Sequence, residues 1–263
     1  MKKILFWIGL SGLFFSGCLS GEKDVLRVGM ELAYPPFEMT DTNGTPAGIS
    51  VDMAYELGEY LGRPVQISNI SFDGLIPSLK TGKIDMIISS MTITEERSRS
   101  VTFSNPYSKA YLALLLNRDS PVESVEDLNK KGRVIAVKKG TTGHLYAREK
   151  LPSARINVFD KESACVLEVV QGKADAFIYD QMTIFTQWQK NIKTTRAVLE
   201  PFQDDFEYWG IAMRKGDPKL HGQVNAFLLE FKKSGGFERL AEKYLSKEKE
   251  IFESLGIPFF FSP

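Results

Sequence analysis

Arg97 and Asp180 are the side chains whose type and setting most directly suggest chemistry. Arg97 follows Thr94-Glu95-Glu96 and offers a planar fork of N–H donors that matches a carboxylate, in a turn whose first amides add positive potential. Read in isolation, an Arg behind two Glu is more often a solvated surface ion pair. Asp180 closes the apolar run Ala176–Tyr179, at the carboxyl edge of a strand, where open α/β sheets place ligand groups; it is also placed to cap the helix that follows. His144 and His221 lie far apart, with no CxxC or HxxxH spacing, so no metal site is expected. There is no GxxxxGK[ST] loop and no GxSxG elbow, so neither bound ATP nor a Ser/His/Asp hydrolase is expected, and no cofactor is called for.

These residues must be positioned by a substantial scaffold. The 263 residues carry 33 Lys+Arg against 33 Asp+Glu, with 43% hydrophobic and 25% charged residues. That balance belongs to a folded chain and leaves no basic footprint for nucleic acid. From Val25 onward, short apolar runs alternate with amphipathic segments, the pattern of βα units and parallel sheets. Strands are expected at Val25–Gly29, Val65–Asn69, Ile84–Ile88, Tyr111–Leu116, Val134–Val137, Ile156–Phe159, Ala176–Tyr179 and Gly210–Met213. Helical spacing runs through Val51, Ala54, Leu57, Gly58 and Leu61, through Val224 to Phe231 behind Asp217-Pro218, and through Phe237 to Leu245. Polar, Pro-containing breaks at Asn117–Glu123 and Glu200–Asp205 divide the chain. Two crossings there give one lobe of residues 24–115 plus 206–263 and a second of 116–205. No internal repeat is evident. Residues 249–263 form a hydrophobic tail expected to dock on the first lobe, with contact to a partner as the other reading.

The amino terminus reads as an export signal over residues 1–18: Met1-Lys2-Lys3, an apolar run from Ile4 to Phe15, then Ser16-Gly17-Cys18. The run has about twelve residues, short of the ~20 that span a bilayer. Small residues before Cys18 resemble a bacterial lipobox, which implies acylation of Cys18 and a lipid-anchored protein at the periplasmic face or cell surface, although Phe15 stands where Leu is usual. A plain secretory signal is the alternative. Cys165 then remains as a lone thiol, expected to be a small buried hydrophobe.

Three segments carry a family resemblance: Gly29-Met30-Glu31-Leu32-Ala33-Tyr34-Pro35-Pro36-Phe37-Glu38, Phe72-Asp73-Gly74-Leu75-Ile76-Pro77-Ser78-Leu79, and Ile84-Asp85-Met86-Ile87-Ile88-Ser89-Ser90-Met91-Thr92-Ile93-Thr94-Glu95-Glu96-Arg97. Together they resemble the extracytoplasmic solute-binding proteins of polar amino-acid ABC transporters, the family 3 group that includes lysine/arginine/ornithine, histidine and glutamine binders. The likeness runs from about Val25 to Leu245. It departs at Ile49 and Ser50, where an aromatic and an acid are usual; Ser50 is still able to cap the helix that follows.

The resemblance implies an α/β, two-lobe periplasmic-binding-protein fold, type II-like, with two hinge crossings, closing on one amino acid. Arg97 would then take the ligand carboxylate, with Thr92 and Thr142 as hydroxyl and backbone partners. Asp180 would take the α-ammonium, assisted by Ser90. Tyr34 and Phe72 would sandwich the side chain, and Glu31 would read its distal end, with Ser89 assisting. Lys138 aligns near a position that is apolar in basic binders and basic in glutamine binders; paired with Glu31 it would neutralise that acid. A basic amino acid ranks first and glutamine second. The implied partners are a membrane permease with its ATPase subunit, and the chain is expected to act as a monomer.

Two rivals come from other classes. A prephenate or arogenate dehydratase shares the fold, and Asp180 with Lys138 would supply acid and base. Prephenate lacks the amine that Asp180 would meet, so an enzyme is not expected. A sensor that signals through another chain is the third reading.

Overall fold

The computed structural model describes residues 24–254, 256 and 259–261. The export signal and Cys18 lie outside the described residues. The first sheet is built from β1 (Leu26–Met30), β4 (Val65–Asn69), β5 (Met86–Ile87), β6 (Thr102–Phe103) and β14 (Ala212–Met213), in the order β4-β1-β5-β14-β6. A short hairpin, β2 (Met39–Thr40) and β3 (Pro46–Ala47), precedes α1 (Ile49–Leu61). Helices α2 (Phe72–Lys80) and α3 (Glu95–Ser98) follow β4 and β5. A two-stranded antiparallel pair, β7 (Ser108–Ala110) with β13 (Glu207–Trp209), joins this lobe to the next.

The second sheet orders β8 (Leu112–Asn117), β9 (Val134–Lys138), β10 (Arg155–Phe159), β11 (Ala176–Asp180) and β12 (Thr195–Val198) as β10-β9-β11-β8-β12. Helices α4 (Thr142–Lys150), α5 (Glu162–Val170) and α6 (Gln181–Lys190) cover it. The chain then returns to the first lobe with α7 (Pro218–Lys233) and α8 (Gly236–Ser254), the latter kinked at Leu245. As the sequence implies, the Asp217 side chain accepts the Leu220 N–H and caps α7 behind Pro218.

Several expectations change. The sheets are mixed, because β14 runs antiparallel to β5 and β6, and β8 runs antiparallel to β11 and β12. The first crossing lies at β7 and Tyr111, ahead of the polar break at Asn117–Glu123: β8 is already hydrogen-bonded into the second sheet, and its run Leu112–Leu116 is buried on both faces. Ser50 does not cap α1; Gly48 holds the cap position, and the Ser50 hydroxyl is donated instead to the buried Glu38 carboxyl.

A repeat also exists. Both lobes run β-α-β-α-β with strand order second-first-third, followed by an antiparallel strand. Gly82-Lys83-Ile84-Asp85 and Gly172-Lys173-Ala174-Asp175 lead into their third strands. Gly82 and Gly172 take φ of 76° and 69°, the left-handed turn that a Cβ disfavours. Asp85 accepts the Arg27 N–H at 3.0 Å, and Asp175 accepts the Val134 N–H at 2.8 Å, so each aspartate ties its lobe's first strand to its third. The intervening sequences have diverged, which hides the repeat from one-dimensional inspection.

Candidate binding site

The two sheets turn their strand ends toward a shared cleft, and loops from both lobes supply its walls. Glu31, Tyr34, Phe72, Ser89, Ser90, Thr92, Arg97, Thr142 and Asp180 all line it. Lys138 ends β9 immediately behind, 2% exposed, and is ion-paired with Glu31 from the opposite lobe. The Glu31 N–H donates to the Ser89 hydroxyl at 3.0 Å, which fixes the loop that carries this acid.

Arg97 sits in α3, capped by the Thr94 hydroxyl, and is 8% exposed. Its two terminal nitrogens donate to the carbonyls of Thr92 at 2.6 Å and Gly140 at 3.0 Å, one from each lobe. Three of its five N–H donors remain for other acceptors. Burial lowers its pKa to about 10, so it is still cationic at neutral pH. Its guanidinium carbon lies 5.4 Å from the Phe72 ring centroid, and the Lys138 ammonium lies 5.7 Å from the same ring. Phe72 is half-buried at the start of α2, where it lines the cleft and also packs against the core of its lobe.

Asp180 caps α6: one carboxylate oxygen accepts the N–H groups of Met182 and Thr183, each at 3.0 Å. The other oxygen is buried with no hydrogen bond of good geometry, as is the Tyr34 hydroxyl, which lies close enough to help hold the carboxyl down. Burial pushes the Asp180 carboxyl up, against the pull of those amide bonds. Tyr34 stacks on Phe37 at 5.2 Å and meets Tyr179 and Trp209 edge-on.

Thr92 and Thr142, from opposite lobes, both donate their hydroxyls at 2.9 Å to the same oxygen of Glu207. Sequence reasoning missed Glu207: it stands in a crossing strand, and its neighbours carry no recognisable motif. It also passed over Glu38, Leu112, Thr141, Tyr179 and Trp209, which complete the lining. Glu38 had a visible signal, an acid directly after the apolar Tyr34-Pro35-Pro36-Phe37. It is fully buried, accepts the Ser50 and Ser90 hydroxyls on one oxygen, and has no partner for the other. Burial raises its pKa to about 8, offset in part by the two hydroxyls, so it is mostly neutral at pH 7. Ser90, whose hydroxyl is thereby engaged, holds a φ of 46°, a conformation that costs roughly 1–3 kcal/mol for a non-glycine residue.

A cleft with a cationic fork on one wall and an unsatisfied buried carboxylate on the other is built for a small molecule carrying both charges. The model for bacterial extracellular solute-binding proteins, family 3, matches residues 26–247. The chain belongs to this family. The L-arginine-binding protein of Pseudomonas aeruginosa is 33% identical over 84% of this chain and 88% of that protein. Among solved structures of the two-lobe fold, an ancestral arginine-binding protein bound to glutamine has a TM-score of 0.77 at 35% identity, covering 85% of this chain and 98% of the other. An ancestral amino acid-binding protein described as a precursor of cyclohexadienyl dehydratase has a TM-score of 0.75 at 39% identity, covering 84% and 95%. Three contacts join the lobes of this family 3 solute-binding protein across the cleft: Arg97 to Gly140, Thr142 to Glu207 and Lys138 to Glu31.

Proposed function

We propose that this chain is the substrate-binding component of an ABC importer for a basic amino acid: lysine, arginine, ornithine or histidine. The observation that carries the reading is the charge balance of the cleft. Besides the buried Glu38, three acids, Glu31, Asp180 and Glu207, face two bases, Arg97 and Lys138, and a ligand with one extra positive charge matches that excess of acid. In this reading Arg97, Thr92 and Thr142 receive the α-carboxylate. Asp180 receives the α-ammonium on its unpartnered oxygen, next to Ser90. Tyr34 and Phe72 flank the side chain, where cation–π attraction adds roughly 0.5–2 kcal/mol. Glu31, steadied by Ser89, receives the distal cation.

Glutamine is the second reading, favoured by the Lys138–Glu31 pair. The pair removes much of Glu31's charge and offers one donor and one acceptor to an amide. Binding without turnover is favoured over a prephenate or arogenate dehydratase by the match to a solute-binding family and by relatives that are binding proteins. No helix among the described residues is long and apolar enough to cross a membrane. Attachment by a lipid on Cys18 is supported by the lipobox-like Ser16-Gly17-Cys18, and a monomeric binding protein held there would deliver its ligand to a permease and ATPase.

The test is a thermal-shift panel on refolded, ligand-stripped protein against the twenty amino acids, ornithine, prephenate and arogenate. At a hundred times Kd a ligand adds ~2.7 kcal/mol, or roughly 5–10 °C. Shifts with arginine, lysine, ornithine or histidine support the first reading and a shift with glutamine alone the second. A shift with prephenate or arogenate alone overturns both.

A further inference from the structure

The family match ends at residue 247, yet the described chain continues, and its last aromatics pack behind the cleft. Phe260 is 1% exposed, with its ring 5.1 Å from Phe37 and 5.3 Å from Trp209. Phe37 lies at 5.0 Å edge-on to Trp209 and stacks on Tyr34, and both Tyr34 and Trp209 face the cleft. The Phe260 carbonyl accepts the Lys109 N–H and the Ser108 hydroxyl, each at 3.1 Å, on the edge of crossing strand β7 that faces away from β13. Phe252, fully buried in α8, meets Phe185 of α6 edge-on at 5.5 Å. That helix belongs to the second lobe and begins at Asp180. One short segment therefore touches the hinge, the aromatic wall of the first lobe and the capped helix of the second.

We propose that Phe260 and Phe252 are positioning residues of the binding site: Phe260 holds the Phe37–Trp209–Tyr34 wall and the hinge strand in place, and Phe252 couples that arrangement to α6. The physical basis is packing. A ring removed from a close-packed aromatic cluster leaves a void, and the neighbouring rings shift toward it. Here the neighbours are the cleft wall itself. Phe259 supplies a graded comparison: among the described residues its ring meets Phe252, Phe260 and Phe261, so it stands one ring further from the cleft wall and its loss reaches that wall only through them. The consequence for ligand affinity rests on the proposed function; the consequence for Trp209 does not.

The experiment compares Phe260→Ala, Phe260→Leu, Phe252→Leu and Phe259→Ala in the full chain carrying Trp7→Phe and Trp188→Phe, which leaves Trp209 as the sole tryptophan. Acrylamide quenching of Trp209 is recorded first, without ligand. The Phe260 variants should quench more strongly than the parent, and Phe259→Ala less than they do. Calorimetry with L-arginine and L-glutamine as probes follows. For whichever probe the parent binds, Phe260→Leu and Phe252→Leu should weaken Kd by about tenfold, mainly through faster dissociation, while Phe259→Ala stays within about threefold despite a comparable loss of Tm. If Phe259→Ala weakens binding in proportion to its Tm as the others do, the segment is merely structural and the proposal fails. If the parent binds neither probe, the quenching comparison alone upholds or overturns the role of Phe260, and the functional reading fails only if lysine, ornithine and histidine give no thermal shift either.

Discussion

Glu31 and Lys138 stand 107 residues apart in sequence, at the ends of the first strands of the two sheets, and close the cleft between them with an ion pair. Lys138 is the more deeply buried of the two, at 2% exposure against 13% for Glu31. Removing one partner of such a pair strands the other, at a cost of roughly 3–5 kcal/mol. Lys138→Met is therefore expected to lower stability and at the same time free Glu31 for a cationic ligand. Calorimetry should show arginine affinity rising and glutamine affinity falling; equal changes for both would remove the pair from specificity. Glu31→Gln should act in the opposite sense, weakening arginine more than glutamine.

Arg97→Ala is expected to abolish binding of every α-amino acid. It removes a fork that already ties Thr92 in one lobe to Gly140 in the other. Arg97→Lys keeps the charge but not the fork and should still lose most affinity. Circular dichroism establishes that both variants are folded. Affinity within about tenfold of the parent for the alanine variant would dismiss Arg97 as the carboxylate's partner.

Glu207 holds the two hydroxyls assigned to the ligand carboxylate, so its own carboxylate repels the group that must replace it. Glu207→Gln retains an acceptor for Thr92 and Thr142 and removes the charge. Glutamine affinity is expected to rise by a few fold, of the order produced by ~1 kcal/mol, while arginine, whose net charge Glu207 helps to balance, should not gain as much. A fall in glutamine affinity would mean that Glu207 serves the ligand by holding the wall.

Glu38 links stability to pH. Its folded pKa of about 8 lies above the ordinary carboxyl value near 4.5, because burial opposes ionisation. The folded state therefore holds its proton more tightly than the unfolded state. Its contribution is fully present below about pH 4.5, falls as pH rises, and is lost once pH passes 8, at ~1.4 kcal/mol per pH unit in between. The Ser50 and Ser90 hydroxyls, Tyr107, Glu31 and Lys138 are the groups that bear on it. Glu38→Gln should flatten the slope of urea-unfolding stability between pH 5 and 8. An unchanged slope would assign the dependence elsewhere.

Cys18→Ser is expected to move the protein from the membrane fraction to the soluble extracytoplasmic fraction, read by fractionation and by loss of radiolabelled palmitate. Membrane retention without label would mean a different anchor.

Much of the scaffold was legible in one dimension. The period-2 and 3.6-residue patterns placed strands such as Val65–Asn69 and helices such as that containing Val224, Phe227, Leu228 and Phe231, because those patterns are the local consequence of burying one face. The Ser89–Arg97 segment pointed to the cleft through its resemblance to the family, and Asp180 through that resemblance and its strand-end position. What the linear order left open was which groups meet. Glu31 with Lys138, Thr92 and Thr142 on one oxygen of Glu207, and Glu38 buried against Ser50 and Ser90 are pairings between distant segments. Their energies depend on separation and on exclusion of water, neither of which exists until the lobes are packed. The lobe boundary was misplaced for the same reason: β8 belongs to the second sheet through hydrogen bonds to β11 and β12, not through anything local to Leu112–Asn117. Residue types thus set the chemistry available to this chain, and the tertiary fold decided which charges are satisfied and which oxygen of Asp180 is left without a hydrogen-bond partner.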